Sequence, residues 1–229
     1  MTISPADLAA YPLCAGLGIE QLALVARAAR RVAVMPGALL MSRAQPGDAA
    51  YLVASGTLHV LIDLPDGASV ILAALGPQAL VGELGVVQSA ARSASVVAAE
   101  RAALLAIHRD DFTALLRAIP ALALNLNAIL AQRLRLANAQ ILAMGAGDPS
   151  ARVARTLLTF AGEHGVPRAG GVGLPFRLTQ SDLARMTGLA RASVNKVVGE
   201  LARRQVLRSD TRQHLTLIDL AALEELAQW

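Results

Sequence analysis

The chain has 229 residues, 55% apolar and 17% charged, which suits one large domain or two modest ones and excludes global disorder. Aromatics are only 3%, so the core has to be built from Leu, Val, Ile and Ala. The net charge of +4 comes from one half: residues 1–149 carry 10 arginines and 10 acids, whereas residues 150–229 carry 10 arginines and Lys196 against 7 acids.

In chain order, residues 4–30 read as short helices, opened by Ser4-Pro5-Ala6-Asp7 and carried by Ile19, Leu22, Val25 and Ala26 at helical spacing. From Val32 to Ile107 short apolar runs such as Leu58-His-Val-Leu-Ile alternate with breaks at Pro36-Gly37, Pro46-Gly47-Asp48, Ser55-Gly56, Pro65-Asp66-Gly67 and Gly76-Pro77. Turns at this frequency predict many short antiparallel strands closed into a barrel, roll or sandwich. A short helix over Asp111–Ala118 and a long one over Pro120–Ala143 follow, the second with proline in its first turn. Leu124, Asn127, Ala131, Leu134, Asn138 and Ile141 recur at steps of three and four, the pattern of a coiled-coil seam with two polar positions, or of a helix packed on its own domain. Gly145-Ala-Gly147 predicts a hinge with the domain boundary at Gly147, and Asp148-Pro149 starts the next helix. The glycine-rich stretch 165–173 reads as a loop.

Thr179 is then a helix N-cap, with Asp182 three residues on completing an acidic capping box. Leu183, Ala184 and Met186 form the buried side of a short helix, and Gly188 supplies the turn. A second helix, from about Arg191 to Arg203, buries Val194, Val197, Val198 and Leu201 and turns Arg191, Ala192, Asn195, Lys196 and Gly199 outward. This spacing fits a helix-turn-helix that lays its second helix in a DNA major groove. Val206-Leu207 and His214-Leu-Thr-Leu read as two strands of a wing around residues 208–212. Residues 150–215 carry 11 basic and 4 acidic groups, so a double-stranded DNA partner is expected for this part alone.

One stretch of the apolar half stands apart. VGELGVVQSAARSASVVA places Gly82-Glu83-Leu84 ahead of Arg92-Ser93 in a segment otherwise poor in charge. A buried acid and arginine are costly unless paired, so each is expected to meet a ligand or the other.

Taken in order, Gly47-Asp48 with Tyr51-Leu52-Val53 and Gly56, the Gly82–Ala94 cassette, the long helix and the winged helix-turn-helix resemble the cyclic-AMP receptor/fumarate-nitrate regulator family of bacterial transcription factors. The resemblance runs from about Val32 to the C-terminus. It implies an α+β fold with an N-terminal β-roll, a cyclic-nucleotide-binding-like jelly roll, over 1–110. A dimerisation helix and hinge over 111–147 and a winged helix-turn-helix over 148–229 complete it. It implies that Gly82, Glu83, Leu84, Arg92 and Ser93 grip the phosphate and ribose of a cyclic nucleotide, with cyclic AMP favoured and no covalent cofactor. The family's adenine contact, a hydroxyl pair on the long helix, falls on Ala137 and Asn138, so only Asn138 is left to read adenine. In the reading helix, Arg191 and Lys196 match two basic positions, and Ala192 stands where the family has a glutamate, which puts the family's usual half-site in doubt. Thr179, Gln180, Ser193, Asn195, Arg203, Arg208 and Arg212 complete the expected DNA-contacting set. The expected partners are an operator, a second copy of the chain through Pro120–Ala143, and RNA polymerase.

Alternatives remain beside this reading: the same fold answering to cyclic di-GMP or another signal, a constitutive regulator, or, remotely, a regulatory subunit of an enzyme. No catalytic constellation or metal site is expected. His59, His108, His164 and His214 are scattered without ligand spacing, Cys14 is a lone cysteine, and Gly82-Glu-Leu-Gly85 lacks the ending of a phosphate-binding loop. The N-terminus lacks a basic signal-peptide region and uncharged stretches such as 67–82 are short and broken, so a cytoplasmic protein without a membrane partner is expected.

Overall fold

The computed structural model describes residues 3–64, 69–144 and 148–228. Its contacts divide the chain into two compact units, Met1–Ile62 with Leu75–Gln132, and Asp63–Ala74 with Arg133–Trp229. The Pro65-Asp66-Gly67 turn, the Gly145–Gly147 hinge and the boundary at Gly147 lie outside the described residues.

In the first unit, α1 (Pro5–Leu8), a 3₁₀ turn (Pro12–Cys14) and α2 (Ile19–Ala28) carry Leu8, Leu13, Leu22 and Val25 into an aliphatic core. Cys14 lies in the same core, where burial pushes its thiol pKa up to about 11. The strands are β1 (Ala29–Val34), β2 (Leu39–Met41), β3 (Ala49–Ser55), β4 (Leu58–Asp63), β5 (Ser69–Leu75, all but its last residue assigned to the second unit) and β6 (Leu80–Val81). After α3 (Glu83–Val87) come β7 (Ser95–Ala98) and β8 (Ala102–His108). They form two four-stranded sheets, in the orders β1-β8-β3-β6 and β2-β7-β4-β5. The paired registers are antiparallel, from Ala29 opposite Ile107 to Leu58 opposite Ala98, which is the expected roll.

Helix α4 (Arg109–Ala118) starts two residues before the predicted Asp111, because His108 ends β8 and serves directly as its N-cap. Ile119 breaks it from α5 (Pro120–Met144): the following proline excludes helical geometry, and Ile119 sits at φ −126, ψ 89. Leu122 and Leu126 of α5 join the core beside Phe112 and Leu115 of α4. The predicted seam lies outward instead. Leu124, Leu134 and Ile141 are 68%, 64% and 68% exposed, and Asn127, Ala131 and Asn138 are exposed too.

In the second unit, Asp148 caps α6 (Pro149–His164) by accepting from the Ala151 amide at 2.9 Å, with proline at the first position. The stretch 165–173 is not the predicted loop. Strand β9 (Val166–Arg168) pairs with β10 (Gly171–Arg177), and a tight turn at Ala169-Gly170 joins them. The glycines there serve a hairpin that widens the wing. Next come α7 (Gln180–Thr187), α8 (Arg191–Arg203), β11 (Leu207–Ser209), β12 (His214–Leu217) and α9 (Leu220–Ala227). The wing is therefore a four-stranded antiparallel sheet, β11-β12-β10-β9, with Arg208 and Ser209 inside a strand and not in its turn. The last helix, absent from the sequence reading, is capped by Asp219 and sends Leu223 inward. Leu157, Phe160, Phe176, Val194, Leu201 and Leu217 are buried here, with Phe160 edge-on to Phe176 at 5.4 Å.

Candidate functional site

The cassette forms where β6 ends. Gly82 takes φ +84, a left-handed conformation that side chains other than glycine rarely adopt, and so turns the chain into α3. A Cβ there would lie 2.8 Å from Arg92 Nη1 and 3.0 Å from the Ala49 carbonyl oxygen. Gly47 is equally constrained, since its Cβ would fall 2.7 Å from the Gly85 backbone. The Gly47-Asp48 turn and α3 thus touch main chain to main chain.

Arg92 lies in the resulting corner, its side chain only 3% exposed. Nη1 donates to the Gly82 carbonyl at 2.8 Å and Nη2 to Asp48 Oδ1 at 2.8 Å. Its main chain is tied to the loop before β3: the Arg92 amide donates to Gln45 O and its carbonyl accepts from Ala44 N. Of the two expected partners for Arg92, a ligand or Glu83, the second is not the one met: the carboxylate on its guanidinium is that of Asp48. Asp48 is 71% exposed, so the buried guanidinium is balanced by an acid standing largely in water. Glu83 is buried on α3, while Leu84 and Ser93 are exposed. Nearby, Tyr51 has its phenol pKa raised, first by burial and then by Asp48, against the opposing charge of Arg92.

Two contributors escaped the sequence reading. Asp48 was a mark of the resemblance but not a site residue. Arg109, the first residue of α4, donates from Nε to the Gly47 carbonyl at 2.7 Å and also from Nη2, while its amide donates to Asp48 O. It clamps the turn that presents Asp48. Neither pairing has a local sequence signal, since the partners are 44 and 62 residues apart.

In the second unit the Thr179–Asp182 capping box forms as expected, with the Thr179 hydroxyl accepting from the Asp182 amide and donating to Oδ2 at 2.6 Å. Gly188 takes φ 65 in the turn, and α8 occupies the predicted span. Arg191, Ala192, Asn195 and Lys196 are exposed, while Ser193, Thr179 and Gln180 are partly buried. The N-cap of α8 is Ala190, which has no side-chain acceptor, so the helix opens on uncapped amide groups suited to a phosphate. A polar concavity of about 550 Å³ brings together Arg177 of β10, Thr179, Ser181, Arg191 of α8, and Arg212 and Gln213 of the wing.

The outlying arginines are not equivalent. Arg203 is ion-paired with Glu200, and Arg208 donates to the Ala169 carbonyl at 2.7 Å, anchoring β11 to the hairpin turn. Among the described residues Arg191, Lys196, Arg204 and Arg212 make no side-chain hydrogen bond or ion pair. The wing turn is held by Asp210, whose Oδ1 accepts from the Arg212 and His214 amides at 2.9 and 2.8 Å. Those bonds, the His214 amide first, hold the Asp210 carboxyl below its usual range. Asn138 is exposed on α5, within the second unit.

Comparison with known proteins agrees with both halves. The cyclic nucleotide-binding domain family matches residues 31–118, and the Crp-like helix-turn-helix domain family matches residues 151–226. The chain is similar to the cyclic AMP receptor protein of Thermus thermophilus, 34% identical over 216 residues, covering 94% of this chain and 96% of that one. It is also similar to the CRP-like cAMP-activated global transcriptional regulator of Mycobacterium tuberculosis, 28% identical over 78% of this chain and 80% of the relative. The structure of FixK2 from Bradyrhizobium japonicum shares the fold, with a TM-score of 0.74 at 21% identity over 86% of this chain and 96% of that one. The chain is a DNA-binding transcriptional regulator with a cyclic-nucleotide-binding domain, and it belongs to the cyclic-AMP receptor/fumarate-nitrate regulator family.

Proposed function

We propose that this regulator binds DNA as a homodimer under the control of a cyclic mononucleotide, cyclic AMP, held at the Gly82–Ser93 cassette. The observation that carries the reading is Arg92: a guanidinium almost wholly withdrawn from water, aimed by the Gly82 carbonyl, and ion-paired with the exposed Asp48. A cyclic phosphate offers that planar guanidinium two oxygens as charge-assisted acceptors, and Asp48 then turns to water at little cost. Gly82 leaves room for a ribose beside the main chain, Glu83 is the acceptor for a ribose hydroxyl, and the exposed Ser93 adds a neutral donor. Leu84 lies over the ligand. The similarity to the Thermus cyclic AMP receptor protein and the Mycobacterium cAMP-activated regulator supports the choice of nucleotide.

In this reading residues 1–110 sense, residues 111–147 pair two chains through Pro120–Ala143, and residues 148–229 bind the operator. The exposed stripe from Leu124 to Ile141 supports the pairing, with Asn138 on it as the adenine contact. Two reading helices then enter successive major grooves roughly 34 Å apart. A nucleotide acts only through unequal affinity for the DNA-competent and incompetent states, so each ligand tightens the other. RNA polymerase is the expected further partner, and the cytoplasm the expected compartment.

The test is fluorescence anisotropy of a labelled operator with and without cyclic AMP, alongside sedimentation of the chain alone. A dimer whose operator affinity rises with the nucleotide supports the reading. A monomer, or a dimer indifferent to cyclic AMP, refutes it.

A further inference from the structure

The exposed side of α8 raises a question that its positive charge does not answer. At about 100° per residue, taking Arg191 as zero, the buried Val194, Val197, Val198 and Leu201 fall between about 240° and 340°. The outward arc runs from Arg191 to Lys196 at about 140°. Inside it lie Ala202 at about 20°, Asn195 at about 40°, Gly199 at about 80°, Ala192 at about 100° and, at the C-terminal end and paired with Glu200, Arg203 at about 120°. From Ala192 to Gly199 the midline of the reading helix therefore has no side chain longer than a methyl.

Gly199 is not required by the fold. A Cβ added to it would meet no atom within 4 Å, and it is not among the residues of positive φ. Glycine in a helix interior weakens the helix, so a free cost is carried at a position where alanine would fit. Its use lies outside the chain. A helix bare along Ala192 and Gly199 can settle closer to the floor of a groove. Close approach is what a short side chain beside that midline needs in order to touch a base edge. Asn195 is that side chain. It is exposed, its amide has no hydrogen-bond partner among the described residues, and it lies one turn beyond Arg191 on the same row.

We infer that Asn195 is a specificity-determining residue that reads an adenine in the major groove, brought within reach by the bare Ala192–Gly199 midline. The side-chain amide donates from Nδ2 to adenine N7 and accepts at Oδ1 from the N6 amino group, a pairing that no other base offers in that groove. With alanine at 192 the exposed arc of the reading helix holds no carboxylate to accept from a cytosine amino group, which leaves Asn195 as the residue that sets the base preference on this row. The inference rests on the DNA-binding reading above.

Its test starts from a randomised duplex pool selected with the full chain, in parallel without nucleotide and with cyclic AMP, cyclic GMP or cyclic di-GMP. The recovered site is then measured against Asn195→Ala, Gly199→Ala and Arg191→Ala, with the natural adenine and with 7-deazaadenine, which lacks the N7 acceptor. The wild-type chain is expected to lose roughly tenfold or more in affinity on the 7-deaza site, and Asn195→Ala less than about twofold, with random DNA bound alike by both. Gly199→Ala is expected to melt higher yet bind the selected site more weakly. An equal 7-deaza penalty for wild type and Asn195→Ala, or undiminished binding by Gly199→Ala, overturns the inference. If Arg191→Ala loses the site while Asn195→Ala keeps it, the DNA reading stands and this inference falls. If the wild-type chain enriches no sequence under any condition, the DNA reading falls first.

Discussion

The two charged regions of this chain are built on opposite plans. In the roll a single arginine is buried and already satisfied by its own chain, through the Gly82 carbonyl and Asp48. In the winged helix-turn-helix Arg191, Lys196 and Arg212 stand exposed, with no side-chain partner among the described residues. A buried charge without a partner is very costly, so the roll supplies partners for Arg92 from its own chain. An exposed charge costs little, so the DNA face can hold many in reserve for a polyanion whose counterions it releases. The first plan suits a strong, salt-insensitive contact to one phosphate, as proposed above. The second gives a summed, salt-sensitive contact to many.

The largest effect should come from the buried charge. Arg92→Leu should remove cyclic-nucleotide binding, a loss of several kcal/mol that added salt barely changes, while the roll still folds. Calorimetry on the mutant checks this, with circular dichroism confirming the fold. Binding equal to wild type would make the cassette mere scaffold.

Next comes Arg191→Ala, expected to cost about 1–3 kcal/mol on the cognate site and far less on random DNA, because its fork suits guanine O6 and N7. Equal losses on both DNAs would assign it to the phosphates. Asn138→Ala should weaken nucleotide binding by roughly 1–2 kcal/mol, the worth of one or two neutral hydrogen bonds, and blunt the DNA response. If both are intact, Asn138 belongs to the seam only.

The exposed arginines should differ among themselves. Arg212→Ala is expected to weaken cognate and random DNA alike and to flatten the log–log salt dependence by about one unit. Arg203→Ala and Arg208→Ala should flatten it less, since one is paired with Glu200 and the other holds the Ala169 carbonyl. Equal slopes for all three would dissolve that distinction.

Asp210→Ala should have the smallest effect, a slight loss of stability in the wing. The carboxyl pKa is lowered on folding, so its contribution is present above the unfolded value, about 3.9. That contribution fades as pH falls through the folded value. Thermal melts of mutant and wild type should therefore differ near neutrality and converge in acid.

What was legible in the sequence follows the same division. The helix-turn-helix is written locally: Thr179 and Asp182 cap within one turn, Gly188 makes the turn, and the valines of α8 repeat at helical spacing. The roll's strands were readable from their turns. The partner of Arg92 was not, because Asp48 lies 44 residues away and only the closed sheets bring it near. The β9–β10 hairpin was read as a loop because its strands are short and rich in glycine and proline, and the sheet pairing with β12 overrides that local weakness. Helix α9 is only eight residues long and has Leu223 as its buried residue, too short a stretch to carry a clear period.

The most direct measurement is a calorimetric titration of the whole chain with cyclic AMP, cyclic GMP and cyclic di-GMP. The account predicts saturable binding of cyclic AMP, tighter than cyclic GMP and with little response to cyclic di-GMP. No heat from either mononucleotide, or binding confined to cyclic di-GMP, would contradict it.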